Sequence, residues 1–388
     1  MSRIDVYYYG ILGDINHMAK NKEFTIDKLL TEAVKKGASD VHLIADQVPV
    51  LRINGEVVRL NDYDPVPEDA IIYALKEIVP DPKTTRTFIT KLESSNDFDF
   101  SYEIKGVSRF RVNVCSRMYK KGMVIRIIPF EPSTISELHL PPAIESFADY
   151  THGLILITGP TGSGKSSTIA ALIDLINKTQ KKHIVSIEDP IEYVFEDKEC
   201  IVSQRQVGFD TENFQTGVKY ALRQDPDVIF IGEIRDIETL DAALNAAETG
   251  HLVVSTLHTN DSVQTINRIT NMYEPEQRKY LRQKLAFCMR ATLSQKLIPT
   301  IDGKSRRPAC ELLVFTPTIQ DLIMKDEIES IYELVKAGSF DKMITLNSSL
   351  YQLYKAGYID QETALNNSNR KNELNQMFRG IYYGVSND

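Results

Sequence analysis

The chain has 388 residues, which is longer than one average domain and predicts two or three domains. A hydrophobic share of 42% and a charged share of 25% are typical of a globular protein with an ample core. The formal net charge of −8 disfavours broad, nonspecific binding to nucleic acid or to an anionic membrane, because both need a basic surface.

Cysteine spacing and hydropathy narrow the class further. The four cysteines, Cys115, Cys200, Cys288 and Cys310, form no CxxC pair, so the sequence predicts neither a zinc site nor a disulfide framework. No apolar run approaches the roughly 18 residues of a membrane helix, and the stretch 6–12 is too short for a signal-peptide core. We therefore expect a cytoplasmic protein that does not insert into the membrane and binds no zinc.

The first third of the chain predicts a small α+β domain. Residues 1–23 show no clear period and are interpreted as an N-terminal extension. A helix is predicted after Thr25, with Gly37 where a C-cap glycine belongs, and Asn54-Gly55 predicts a tight hairpin turn. Strands with few helices and no βαβ alternation indicate an α+β domain over 24–132. The predicted strands are 50–53, 56–60, 97–103, 108–115 and 123–128.

The chain changes character after a proline-rich segment. Residues 129–142 hold four prolines and a Ser/Thr cluster, and we place a linker at 133–150. Short apolar strands then alternate with helical segments, which predicts a parallel sheet covered by helices over 151–316. Short helices alone are predicted over 317–388. The predicted strands of the second domain are 153–158, 183–187, 227–231 and 252–257.

The segment 159–166 matches the phosphate-loop pattern G-x-x-x-x-G-K-[ST] in full, between a buried strand and an amphipathic helix. Glycines let backbone N–H groups turn towards phosphates, and the helix N-terminus adds positive potential. The Lys side chain is predicted to reach the phosphates of ATP and the following Ser to ligate Mg²⁺. The alternative, a chance Gly/Ser turn without a ligand, is disfavoured by spacing and context. The predicted nucleotide-binding residues are Gly159, Pro160, Thr161, Gly162, Ser163, Gly164, Lys165, Ser166 and Ser167.

Two acidic clusters follow this loop. Gly232 and Glu233 directly follow the strand 227–231. P-loop enzymes usually carry Asp at the position of Gly232, so Glu233 is predicted to contribute to the coordination shell of Mg²⁺ instead. A carboxylate from the cluster 188–192 is predicted to orient the attacking water and accept its proton. Solvated loop charges are the alternative for either cluster alone; their order behind a complete P-loop favours function.

Two histidines, His251 and His258, bracket the strand 252–257. A histidine near an apolar strand is often a core residue with satisfied hydrogen bonds. Beside a nucleotide site, a γ-phosphate sensor is the competing interpretation. Composition does not decide between the two.

The ordered motifs resemble the secretion-ATPase superfamily, the RecA-like hexameric motors of type II secretion and type IV pili. The resemblance spans about residues 24–365 and implies an α/β protein, with an N-terminal α+β PAS-like domain followed by a RecA-like P-loop ATPase domain and C-terminal helices. The segments that carry it are 159–167, 186–193, 223–251 and 255–260, with 37–43, 52–57 and 109–113 in the first domain.

The resemblance also implies roles for single residues. Lys165 is the Walker A lysine. Glu192 is the catalytic glutamate of the Asp box, and Glu233 is the catalytic Walker B glutamate and a metal ligand together with Ser166. His251 and His258 form the His box, in which His258 belongs to the catalytic set and His251 to the nucleotide contacts.

Three arginines of the first domain, Arg109, Arg111 and Arg126, match arginines that the family presents to nucleotide or to the neighbouring subunit. Charges on the solvent face of a strand are the alternative, since Arg109 and Arg111 lie two residues apart and share a face.

The resemblance implies ATP and Mg²⁺ as cofactors, a homo-hexamer with ATP between the two domains, and an inner-membrane pilus platform protein as partner. It places the motor on the cytoplasmic side, peripheral at the base of the pilus machine. Pilus retraction ATPases (PilT-like), which drive pilin depolymerisation and twitching motility, are the most similar branch. Assembly and secretion motors usually carry a longer N-terminal region and a tetracysteine zinc motif. In the segment 318–323, Gln320 and Asp321 replace the Arg and Asn of the retraction branch's AIRNLI helix.

Three alternatives stay open at this stage. The first is a pilus assembly or type II secretion ATPase that lacks the zinc site. The second is a RecA-like nucleic-acid translocase, which the negative net charge and the lack of a basic, aromatic-interleaved stretch disfavour. The third is a regulatory subunit that binds nucleotide without hydrolysis, which the presence of both Glu192 and Glu233 disfavours. We therefore expect no direct nucleic-acid partner.

Overall fold

The computed structural model describes residues 24–53, 55–78, 97–128, 131–338 and 341–381. The predicted N-terminal extension 1–23, Asn54 of the predicted turn and the last residues of the predicted helical region lie outside the described residues. The chain divides into two compact units, Met1–Pro129 and Phe130–Asp388, each with its own sheet.

The first unit is an antiparallel sheet with helices packed on one face. The six strands follow the order β3-β2-β1-β6-β5-β4, and every pairing is antiparallel. The predicted hairpin pairs Val50 with Arg59 and Ile53 with Glu56. The elements are α1 (Ile26–Lys35), β1 (Ala38–Ile44), β2 (Val50–Ile53), β3 (Glu56–Arg59), α2 (Glu68–Ile78), β4 (Phe98–Ile104), β5 (Ser108–Arg117) and β6 (Lys120–Ile128).

Helix α1 shows why one face of this sheet is buried. Its apolar residues recur at helical spacing and are buried, and Gly37 ends the helix at a φ of 68°. Along β5, alternate residues such as Phe110 and Val112 pack into the same core. Because side chains alternate across a strand, Arg109 and Arg111 lie on the opposite face.

The second unit is built on a seven-stranded mixed sheet. Its elements are a 3₁₀ helix (Pro142–Asp149), β7 (Gly153–Thr158), α3 (Lys165–Thr179), β8 (His183–Glu188), β9 (Ile201–Gln206), α4 (Phe214–Ala221), β10 (Val228–Ile231), α5 (Ile237–Glu248), β11 (Leu252–Leu257), α6 (Ser262–Thr270), α7 (Pro275–Cys288), β12 (Met289–Pro299), β13 (Arg306–Val314), α8 (Pro317–Lys325), a second 3₁₀ helix (Ile328–Ser330), α9 (Ile331–Ala337), α10 (Leu346–Lys355), α11 (Gln361–Asn367) and α12 (Lys371–Phe378).

The strand order of this sheet is β13-β12-β7-β11-β10-β8-β9. Six strands are parallel, whereas β13 runs antiparallel to β12. The predicted parallel sheet is therefore a mixed one, because β13 adds an antiparallel edge strand, and β9, β12 and β13 are not predicted from the sequence. Since the carboxyl ends of parallel strands meet at one edge, the loops after β7, β8, β10 and β11 converge there.

Helices cover both faces of the mixed sheet. All six residues of β7 are buried, as a central parallel strand requires. The predicted linker 133–150 belongs to the core on one face, where Ile135, Leu140, Ile144 and Phe147 are buried against residues of β7 and α3. In the described part of the chain, no helix is both long and apolar enough to cross a membrane.

Candidate nucleotide site

The P-loop connects the carboxyl end of β7 to the first turn of α3. Gly159, Gly162 and Gly164 have φ values of 144°, 77° and 91°, which L side chains rarely adopt. Gly159 is also needed for space, because a Cβ there would lie 2.3 Å from the backbone oxygen of Gln295. Glycine at 159 is therefore required both by backbone conformation and by the approach of a neighbouring strand.

Lys165 folds back across this loop. Its Nζ donates to the carbonyl oxygens of Gly159 at 2.8 Å and Pro160 at 3.1 Å. Burial lowers the pKa of Lys165, and the negative charges of Glu233 and Glu192 act in the opposite sense. The structure thus brings together the three charged side chains that the sequence assigns to nucleotide chemistry.

The loop has the features of a phosphate cradle. The Ser163 hydroxyl is buried without a hydrogen-bond partner among the described residues, beside the Gly159 backbone that leaves no room for a Cβ. Ser166 is exposed at the start of α3, and the half-buried Ser167 has its Oγ 3.4 Å from the Tyr193 hydroxyl. An unpartnered hydroxyl, a helix N-terminus and a lysine at one loop suit bound phosphate.

Gln295 of β12, which is not predicted as a site residue, holds the P-loop through hydrogen bonds of its side chain. Gln295 is buried, its Nε2 donates to the Ser163 carbonyl at 2.7 Å, and its Oε1 accepts from the Thr168 hydroxyl at 2.9 Å. One amide therefore joins the loop to the first turns of α3. The sequence offers no clear signal for it, because Gln295 stands between Ser294 and Lys296 in a strand of mixed polarity.

The second acidic cluster begins where β8 ends. Glu188 is buried and accepts hydrogen bonds from the Ser186 hydroxyl at 2.6 Å and from Gln204 Nε2 at 3.1 Å. Burial raises the pKa of Glu188 to about 7, against the opposing effect of these hydrogen bonds. Glu192 follows on an irregular segment and is half-buried.

Glu233 lies between two further side chains. Glu233 forms an ion pair with Arg235, and its carboxylate lies 3.6 Å from His258 Nε2. The Gly232 carbonyl accepts a hydrogen bond from Thr256 at 2.8 Å, which ties this turn to β11. Arg235 is not predicted from the sequence, although its position two residues after Glu233 could have indicated an ion pair.

The remaining predicted residues are one histidine of the second unit and three arginines of the first unit. His251 precedes β11, at the opposite end of that strand from His258, and its Nδ1 lies 3.0 Å from the Ala246 carbonyl. In the first unit, Arg126 pairs with Asp40 at 3.0 Å, while Arg109 and Arg111 lie 3.7 Å and 3.8 Å from acids on β4. Nucleotide contact by these four residues stays a prediction.

Comparison with known proteins agrees with the interpretation of this region as a nucleotide site. A family model for type II/IV secretion system proteins matches residues 17–371. The type IV pilus retraction ATPase PilT of Pseudomonas aeruginosa is 42% identical over 322 residues, covering 83% of this chain and 92% of the relative. The type IV pilus ATPase PilU of the same organism is 38% identical over 323 residues, covering 83% of each.

A solved structure gives the same result. The crystal structure of the pilus retraction motor PilT with bound ADP has a TM-score of 0.83 and 43% sequence identity, covering 92% of this chain and all of that one. The family match covers most of the chain, and the antiparallel and mixed sheets agree with that structure. The chain therefore belongs to the type II/IV secretion system protein family and is an ATPase.

Proposed function

We propose that this chain is a motor ATPase that powers type IV pilus retraction. The observation that carries the ATPase part is Lys165 held within the P-loop and within the fields of Glu192 and Glu233. Similarity to the PilT retraction ATPase at 42% identity supports retraction. The antiparallel sheet and the mixed sheet fit the PAS-like and RecA-like domains that we assign to the two units.

The site residues divide the work of hydrolysis. The P-loop N–H groups and Lys165 bind the phosphates and offset negative charge as it develops. Glu192 orients the attacking water and takes its proton, because it follows β8 and its negative charge acts on Lys165. His258 contacts Glu233 and lies at the carboxyl end of β11, where it can sense the γ-phosphate.

The donor set fits a magnesium ion. Ser166 and Glu233 would hold Mg²⁺, since hydroxyl and carboxylate oxygens are its preferred protein ligands. When bound, the ion neutralises charge on the phosphate oxygens. The Glu233 carboxylate also contacts Arg235 and His258.

Assembly follows from the proposed function. We assign a homo-hexamer that works against an inner-membrane pilus platform protein from the cytoplasmic side. The arginines Arg109, Arg111 and Arg126, together with His251, are assigned to nucleotide or to the neighbouring subunit. A soluble ring of six chains, measured by mass photometry with and without ATP, is the expected result.

Deletion in the native host, followed by imaging of surface pili, tests the direction of work. Excess pili that do not retract are expected, and the wild-type gene restores retraction whereas Lys165→Ala does not. Loss of pili would contradict retraction and favour assembly. DNA-stimulated turnover of the purified protein would instead favour a translocase.

An accessory retraction motor of the PilU kind is the second candidate. Identity to PilU is 38%, close to that with PilT. Helix α8 keeps buried Ile319 and Ile323 but carries Gln320 and an Asp321 that pairs with Lys325, in place of the Arg and Asn of the retraction branch. The two candidates are separated in a host strain in which this chain is the sole retraction ATPase. Pili that retract indicate a retraction motor, and pili that do not retract indicate an accessory motor.

A further inference from the structure

The segment that carries Glu192 is irregular and needs support from outside. It leaves β8 at Glu188 and shows no helix or strand before β9 begins at Ile201. Backbone groups of such a segment must find partners beyond a regular ladder. Asn177 of α3 contacts the part of the segment at Glu196 and Lys198, whereas Gln204 of the edge strand β9 contacts the part that flanks Glu192.

Gln204 contacts this segment at three points. Its Nε2 donates to the Glu188 carboxylate at 3.1 Å and to the Tyr193 carbonyl at 2.8 Å, and its Oε1 accepts from the Phe195 backbone N–H at 2.9 Å. The first contact lies before Glu192 in the chain, and the other two lie after it. Both Nε2 donors and the Oε1 acceptor are thereby used.

A second link runs through Glu188 to the backbone of Glu192. The Glu188 carboxylate accepts a hydrogen bond from the Glu192 backbone N–H, while Gln204 and Ser186 hold that carboxylate in place. The neighbouring Gln206 adds a longer contact, its Oε1 accepting from the Ile191 N–H at 3.4 Å. Gln204 is therefore the side chain through which β9 holds both flanks of Glu192.

We propose that Gln204 is a positioning residue that holds Glu192 in the geometry needed for hydrolysis. The inference rests on the proposed role of Glu192 as the base. A base that is displaced by about 1 Å loses much of its rate contribution, on the order of 100-fold. The P-loop is braced separately by Gln295, so nucleotide binding survives the loss of Gln204.

Because different side chains hold the P-loop and the Glu192 segment, a positioning role of Gln204 can be distinguished from a general contribution to stability. A side chain that only stabilises the fold lowers the melting temperature and leaves the kcat of the folded protein unchanged. A positioning residue lowers kcat while the Kd for ADP stays near the wild-type value. The kcat-against-Kd split is therefore the deciding measurement.

The test compares Gln204→Met with Ser203→Ala. Methionine keeps the length of the side chain and removes all three hydrogen bonds. Ser203 is its neighbour on β9, and its Oγ contacts His183 Nε2 at 2.9 Å on the other face of the strand, so its alanine variant removes one hydrogen bond without touching the segment. We expect kcat to fall at least tenfold in Gln204→Met, with the ADP Kd by calorimetry within threefold, and Ser203→Ala to stay within twofold in both.

Gln204→Asn, which keeps the amide but is too short for all three contacts, serves if the Met variant does not fold. A kcat within threefold of wild type in the folded variant, or a kcat loss matched by an equal loss of ADP affinity, overturns the proposal. Glu192→Gln is measured beside it. If Glu192→Gln turns over normally, the assignment of the base fails; if only the Gln204 variants do, the positioning role alone fails.

Discussion

The P-loop and the segment around Glu192 leave the same edge of one sheet, yet they are held in different ways. In the P-loop, glycine backbone conformations and the start of α3 set the path, and Lys165 donates to carbonyls of its own loop. The Glu192 segment has no such local order and depends on the Gln204 side chain of β9. The proposed binding element is thus encoded locally, while the proposed catalytic element is set by tertiary contacts.

The same contrast appears in the charges. The P-loop supplies a cation and backbone donors, which suit every state of the phosphates. The other segment supplies carboxylates, one of them buried at Glu188 with its pKa raised to about 7. Variants in the first element should change affinity, whereas variants in the second should change rate.

The largest effect is expected for Glu192→Gln. Turnover should fall by about 100- to 1,000-fold, because general base catalysis contributes on that order. ATP binding should stay within a few-fold of wild type, since the phosphate cradle is intact. Steady-state hydrolysis and calorimetry measure the two quantities. Near wild-type hydrolysis would remove Glu192 from the mechanism and erase the contrast with the P-loop.

A large effect on binding is expected for Gly159→Ala. The residue has a φ of 144°, and its new Cβ would lie 2.3 Å from the Gln295 backbone oxygen, so the loop must shift. We expect ADP affinity to fall at least tenfold. Gly162→Ala is the matched control: its φ is 77°, but a Cβ there meets nothing within 4 Å, so only a left-handed strain of about 1 kcal/mol remains. Equal losses in the two variants would contradict the importance of close approach.

The P-loop and the segment around Glu192 also show how much of the site the sequence predicts. The P-loop is predictable because glycines, lysine and serine stand at fixed spacing in one continuous segment after an apolar strand. Gln295 is not, because its partner Ser163 lies 132 residues away and the pairing exists only once β12 lies beside β7. Gln204 is also missed, because the sequence of β9 alternates too weakly between apolar and polar residues to predict a strand. Arg235 lies near a known motif, but its ion pair depends on how the turn after β10 folds.

An intermediate effect, on stability, is expected for Glu188→Gln. Burial raises the pKa of Glu188 from its usual 4.5 to about 7. Between these values the folded chain holds a proton that the unfolded chain has released, so this group lowers stability as pH rises through that window. Gln avoids the buried charge, and its stability relative to wild type should increase by about 1–3 kcal/mol from pH 5 to pH 8. Urea unfolding at both pH values measures this, and a difference that does not change with pH would contradict it.

The smallest effect on stability is expected for Arg126→Ala in the first unit. Arg126 pairs with Asp40 at 3.0 Å, but 63% of its side chain is exposed, and exposed ion pairs contribute less than about 1 kcal/mol. Asp40 also keeps the hydrogen bond from the Ser39 hydroxyl at 2.8 Å. Arg59→Ala, on the exposed edge strand β3 of the same sheet, is the control. If Arg126 reaches nucleotide or a neighbouring subunit, ATP turnover should fall about tenfold in its variant alone while both proteins unfold at nearly the same urea concentration. Unchanged turnover would assign this arginine to the solvent face of the strand.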